Sequence, residues 1–76
     1  MLKAIFVNGL KDIEEQEKEL KDMCGYLNVT IWDSNSGEVE IRIDLGNLDE
    51  KQLRAVREYY QLDEFDTRNY DYVIIF

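Results

Sequence analysis

The side chains that could act as nucleophiles in this chain lack a base to activate them. The sequence has no histidine, which is the commonest general base and the partner in Ser-His and Cys-His pairs. Ser34 and Ser36 lie in a stretch typical of a turn. Cys24 falls near the C-terminal end of a predicted helix, where the helix dipole disfavours a thiolate. The sequence therefore predicts a non-enzymatic protein with no catalytic residues and a buried Cys24.

Metal and cofactor binding are not indicated by the sequence either. A zinc site would have one thiolate and carboxylates only, which is a poor structural ligand set. Residues 33–37 (DSNSG) resemble the start of an EF-hand loop. However, Gly37 comes one position early, and Asp44 stands where the loop needs a bidentate Glu. A hairpin turn uses the same residue types, so we expect no metal and no cofactor.

The chain carries a strong negative charge. Seventeen acidic residues against nine basic ones give a net charge of −8 at pH 7. Affinity for nucleic-acid phosphate comes from Lys and Arg that release counterions, so we expect no direct binding to DNA or RNA. Anionic membrane surfaces are disfavoured for the same reason, and no apolar stretch approaches the roughly 20 residues of a membrane span. A basic protein surface would be attracted, and a lone thiol without a targeting segment predicts a cytoplasmic location.

Acidic residues are interleaved with aromatic ones between positions 58 and 72 (EYYQLDEFDTRNYDY), and Arg68 is the only base in this stretch. Carboxylates spaced along a surface, with aromatic rings between them, suit a groove that binds nucleic-acid phosphate. The alternative is a solvated connector whose aromatics close the core. The candidate partner-binding residues of this stretch are Glu58, Asp63, Glu64, Phe65, Asp66, Tyr70, Asp71 and Tyr72.

Six elements must position these residues. Hydrophobic periodicity predicts strands over 2–7, 27–33, 38–45 and 70–76, helices over 10–24 and from Asn47 to about Gln61, and a connector over 62–69. The order β-α-β-β-α-β favours one α+β domain over residues 1–76. Its fold would be ferredoxin-like, a four-stranded antiparallel sheet with both helices on one face.

The sequence also predicts ion pairs along the first helix and a cap at the start of the second. In the first helix, Lys and acidic residues stand four apart, which predicts a largely neutralised, solvated face. The alternative is a binding face, because the helix carries surplus acid. The expected pairs are Lys11 with Glu15, Glu14 with Lys18, Glu17 with Lys21, and Lys18 with Asp22. At the start of the second helix, Asn47 and Glu50 resemble a capping box.

The sheet face away from the helices is a second candidate surface. If the alternating Val39, Ile41 and Ile43 face the helices, the residues between them line the open face. RNA-recognition domains share the element order and carry aromatics on that face, but acidic central positions argue against RNA here. An exposed Trp is typical of protein contacts. The candidates on this face are Trp32, Glu38, Glu40 and Asp44, joined by one alternating set of the last strand, either Tyr70, Tyr72, Ile74 and Phe76 or Asp71, Val73 and Ile75.

Two hypotheses for function follow. The first is an inhibitor or nucleic-acid mimic that blocks a basic nucleic-acid-binding protein. In size, charge and lack of catalytic groups, the chain resembles small acidic proteins of phages and mobile elements that block restriction or CRISPR nucleases. The second is a ferredoxin-like module with a regulatory or structural role, which forms a homodimer through its sheet face or the edge at residues 70–76. Salt separates them, because binding driven by charge weakens as ionic strength rises and apolar association does not.

Overall fold

The computed structural model describes residues 3–9, 11–33 and 37–76. The predicted element order is confirmed, and the fold is α+β with four strands and two helices. The predicted positions of Leu2, Leu10 and the turn at 34–36 lie outside the described residues. The elements are β1 (Ala4–Val7), α1 (Ile13–Cys24), β2 (Val29–Asp33), β3 (Val39–Asp44), α2 (Glu50–Tyr60) and β4 (Tyr72–Ile75), with 3-10 turns at Tyr26–Asn28, Leu45–Asn47 and Thr67–Asn69.

The sheet is mixed, so the predicted antiparallel, ferredoxin-like arrangement was wrong. The strand order is β1-β4-β3-β2. β1 is parallel to β4, whereas β4 with β3 and β3 with β2 are antiparallel. The predicted edge at residues 70–76 is therefore an inner strand. β4 is free of charged residues and apolar on both sides, with Val73 and Ile75 buried and Ile74 opposite Phe6 on the other side. Such a strand fits the middle of a sheet, where neighbouring strands pair with both of its edges and their side chains lie beside its own on both faces.

Both helices pack against the same face of the sheet. Leu20 and Cys24 of α1 and Val56 of α2 belong to one buried cluster with the inward residues of all four strands. The two helices also contact each other. Ile41 and Ile43 are fully buried, as the alternation in β3 predicted. Burial raises the pKa of the Cys24 thiol to about 11, so it stays protonated at neutral pH and acts as a small apolar side chain.

The two helices begin with different caps. At α2, Asp49 accepts a hydrogen bond from the Gln52 backbone N–H at 2.8 Å, and the Gln52 side chain accepts one from the Asp49 N–H at 3.0 Å. The predicted capping box at Asn47 and Glu50 was therefore wrong, because residues 45–47 form a 3-10 turn first. At α1, the N-cap Asp12 makes no side-chain hydrogen bond to the helix. None of the helices among the described residues is both long enough and apolar enough to cross a membrane.

Candidate acidic binding surfaces

The connector between α2 and β4, residues 61–71, is anchored to the core by its apolar side chains. Leu62 is 3% exposed, and Thr67 is also buried. The rings of Phe65 and Tyr70 meet edge to face with centroids 5.7 Å apart and pack against the core cluster. Phe65 and Tyr70 therefore support the connector from within, and neither is displayed as a free aromatic contact.

Two carboxylates of the connector already have partners within the chain. Asp66 accepts hydrogen bonds from the Arg68 side chain at 3.1 and 3.2 Å and from the Arg68 backbone N–H at 3.2 Å. These bonds hold the pKa of Asp66 below its ordinary value. Asp71 accepts from the Lys3 backbone N–H at 2.9 Å, beside the parallel strand pair. Both side chains hold local structure.

The remaining acids near the connector face solvent. Asp63 and Glu64 are exposed and line an open surface cleft of about 470 Å³. The cleft also includes Arg57 and Arg68, so its charge is mixed. Glu58 is exposed on α2 and does not line this cleft. The structure thus brings together Asp63, Glu64 and Asp66 of the predicted site, with two guanidinium groups among them.

The outer sheet face holds the other predicted residues, and they do not form one acidic patch with the connector. Trp32 is 41% exposed, as the alternation in β2 predicted, and lies opposite Glu40. Glu38 is exposed beyond the start of β3. Asp44 accepts hydrogen bonds from the Gly46 N–H at 3.2 Å and the Asn47 amide at 3.0 Å. Tyr72 lies under the Arg42 guanidinium, 4.5 Å from ring centroid to Cζ.

An acidic line along α1 stands out in the structure and was missed by the sequence reasoning. It consists of Asp12, Glu15, Glu19 and Asp22, and all four are exposed. Their spacing of three, four and three residues keeps them on one side of a helix. At 1.5 Å of rise per residue, the line is about 15 Å long.

The lysines of α1 do not neutralise this line. Among the described residues, the ion pair of α1 joins Lys21 to Glu17 at 3.1 Å. The predicted pairs of Lys11 with Glu15 and of Lys18 with Asp22 are not formed. Both would place Lys before the acid, which is the less favourable order at this spacing. The predicted Glu14–Lys18 pair has the better order and is also not formed; nothing in the structure explains its absence.

Tyr59 of α2 is attached to the acidic line. Its hydroxyl donates a hydrogen bond to Glu19 Oε2 at 2.8 Å. That bond raises the pKa of Tyr59, with smaller contributions from burial and from the nearby charges of Glu19 and Glu15. Asp12, Glu15 and Glu19 line one surface cleft of about 180 Å³ with Tyr59 and Lys11, and within the described chain Lys11 forms no ion pair with them. Asp22 lies at the next cleft with Asp49 and Lys51, so the acidic line follows the side of α1 that meets α2.

Within the described residues, no group of three or more His, Cys, Asp or Glu side chains is arranged to hold a metal ion. The members of the acidic line therefore stand as separate charges along α1. Compared with known proteins, the chain matches no family model, no curated protein and no solved structure.

Proposed function

We propose that this protein is a non-enzymatic acidic inhibitor that occupies the nucleic-acid-binding surface of a basic protein, such as a restriction or CRISPR nuclease. The observation that carries the proposal is the acidic line of Asp12, Glu15, Glu19 and Asp22. Its four exposed carboxylates have no Lys or Arg of the described chain within ion-pair distance. The target would be recognised by its own Lys and Arg residues, and we expect the two proteins to meet in the cytoplasm.

The spacing of the acidic line supports mimicry of a phosphate backbone. Four carboxylates over about 15 Å place one negative charge roughly every 5 Å of helix axis. A strand of B-DNA carries one phosphate per about 3.4 Å of axis. The line therefore offers roughly two thirds of the linear charge of one strand, on a rigid helix that loses little entropy on binding.

The exposed connector acids extend this proposed surface to a second region. Asp63 and Glu64 lie free of hydrogen bonds in the described chain and add negative charge without holding the fold. Glu58 and Glu38 are exposed acids of the same kind. Asp66, Asp71 and Asp44 contribute less to the proposed surface, because their carboxylates already accept hydrogen bonds from groups of the same chain.

A competition experiment tests the proposal. The immobilised protein is incubated with a nuclease-treated lysate, and the bound proteins are eluted with duplex DNA or with high salt and identified by mass spectrometry. We expect basic nucleic-acid-binding proteins that DNA releases, because both ligands need the same surface. Capture of proteins that neither DNA nor salt releases, or of no protein, would overturn the proposal.

Two sets of substitutions locate the surface. The line variant neutralises four acids: Asp12→Asn, Glu15→Gln, Glu19→Gln and Asp22→Asn. We expect it to weaken binding to a captured target by about tenfold to nearly a thousandfold, at about 0.3 to 1 kcal/mol for each of the four charges. The matched control makes the same change in net charge outside both proposed regions: Glu14→Gln, Glu17→Gln, Asp33→Asn and Glu50→Gln. Equal losses in both variants would mean that only net charge matters and that the line is not the contact.

A further inference from the structure

The outer face of the sheet carries a contiguous apolar patch on the β1–β4 side. Phe6 is 66% exposed and lies opposite Ile74 in the parallel register. The Phe6 and Phe76 rings meet edge to face with centroids 6.4 Å apart. Ala4 and Tyr72 form the next row of the same face. We call these five residues, Ala4, Phe6, Tyr72, Ile74 and Phe76, the apolar strip.

The charge of this face differs from that of the rest of the molecule. On the outer side of β3 lie Glu40, Arg42 and Asp44, which sum to −1 of the net −8 of the chain. The Arg42 guanidinium is stacked on Tyr72. A basic partner would find little to bind here. Another copy of this strongly anionic chain, however, meets less repulsion at this face than at the helices.

We propose that two copies pair face to face through the apolar strip. A two-fold axis across the strands places the β1–β4 side of one copy over the β1–β4 side of the other, so apolar residues meet apolar residues. The helices, with their acidic line, then lie on the outside of the pair. This inference is independent of the proposed inhibition, because it uses the opposite side of the sheet.

The size of the face sets the strength of this pairing. Four strands about 4.8 Å apart, each of about five residues at about 3.3 Å, span roughly 300 Å² in projection. A standard stable interface buries about 800 Å² per partner. The dimer is therefore expected to be reversible and to form in the micromolar range or above, with exposed Phe rings as its anchors.

Sedimentation equilibrium over a range of concentrations tests the pairing with a matched pair of variants. Phe6→Glu puts a carboxylate into the strip and is expected to weaken dimerisation at least tenfold. Leu27→Glu adds the same charge at a side chain that is 96% exposed in the 3-10 turn, away from the strip. It is expected to leave the dimer intact. Circular dichroism confirms that both variants fold, since both positions point to solvent.

Salt separates this inference from the proposed function. Raising ionic strength screens the repulsion between two copies of charge −8, so dimerisation strengthens, whereas capture of a basic target weakens. A wild-type protein that stays monomeric at high salt and high concentration would overturn the dimer. So would a Leu27→Glu variant that loses dimerisation as fully as Phe6→Glu. Neither result bears on the competition with DNA.

Discussion

The acidic line on α1 and the acidic connector look different in the sequence and in the structure. In the sequence, four of the five carboxylates of α1 have a lysine four residues away, whereas those of the connector face a single arginine. In the structure, the acidic line has no ion-pair partner within the described chain and only Glu19 of its members accepts a hydrogen bond there, from Tyr59, whereas Asp66 and Asp71 of the connector are both hydrogen-bonded. Sequence spacing therefore predicts which charged side chains could pair, but it does not show which of them remain available to a partner protein.

The difference arises from how each region satisfies the hydrogen bonds of its backbone. Beyond its first turn, a helix satisfies its backbone N–H groups internally, so Glu19 and Asp22 of α1 are not needed as acceptors for them. A connector has backbone N–H groups without regular partners, and these need acceptors. Asp66 accepts from the Arg68 N–H at the Thr67–Asn69 turn, and Asp71 accepts from the Lys3 N–H. Short acidic side chains commonly fill this role in turns.

The strongest test of this comparison is to remove an anchor of the connector. Leu62→Ala deletes a side chain that is 3% exposed, and we expect it to lower the free energy of unfolding by about 3 kcal/mol. Urea unfolding followed by circular dichroism measures the loss. Leu27→Ala is the control, because its side chain is 96% exposed and should change stability by less than about 0.5 kcal/mol. Equal effects would show that the connector is a solvated loop after all.

Substitution of the two N-cap aspartates should have a smaller effect on the free energy of unfolding. Asp49→Ala breaks both hydrogen bonds of the α2 capping box and should cost about 1 kcal/mol. Asp12→Ala removes a side chain that caps nothing and should cost only the loss of a favourable charge at the helix N-terminus, about 0.3 kcal/mol. Thermal unfolding compares them. If Asp12→Ala is as costly as Asp49→Ala, Asp12 holds the helix and is less free to bind a partner.

The smallest effect concerns the Tyr59–Glu19 hydrogen bond. Because the pKa of Tyr59 is raised in the folded protein, its protonated form stabilises the fold. That contribution is fully present below the unfolded pKa of about 10 and is lost as pH rises through the folded value. Glu19→Gln should lower the Tyr59 pKa toward its ordinary value, as measured by NMR titration of labelled tyrosine rings.

Glu14→Gln serves as the control for this titration, because Glu14 is exposed on α1 and does not contribute to the Tyr59 shift. An unchanged Tyr59 pKa in Glu19→Gln would mean that the bond does not persist in solution. In that case Glu19 would be as free as the other three acids of the line.

Local sequence patterns predicted the elements of this fold and their order, but they could not predict which strands pair in the sheet. The alternation of residues 38–45 correctly placed Ile41 and Ile43 in the core, whereas Val39, at the start of β3 beside the hairpin turn, is 40% exposed. The same kind of pattern in 70–76 predicted a strand but not its neighbours, because periodicity carries no information about which strands pair. Two apolar faces on β4 were visible in the sequence and could have indicated an inner strand.

The candidate surfaces were predictable to a similar degree. The outward position of Trp32 follows from alternation in β2, and the structure confirms it. The spacing of Asp12, Glu15, Glu19 and Asp22 was equally visible. It was overlooked because lysines at i,i+4 were counted as partners. Side-chain partners of this kind depend on orientation and on tertiary contacts such as Tyr59 with Glu19.

The inner position of β4 also has a consequence for how the chain folds. β4 comes after every other element along the chain, yet it lies between β1 and β3. Lys3 and Asp71, which bond beside the β1–β4 pair, are 68 residues apart. The local β2–β3 hairpin can form early, but β1 has no partner strand until that long loop closes. The folding rate should therefore depend on β4, and β1 should be the last strand to join the sheet.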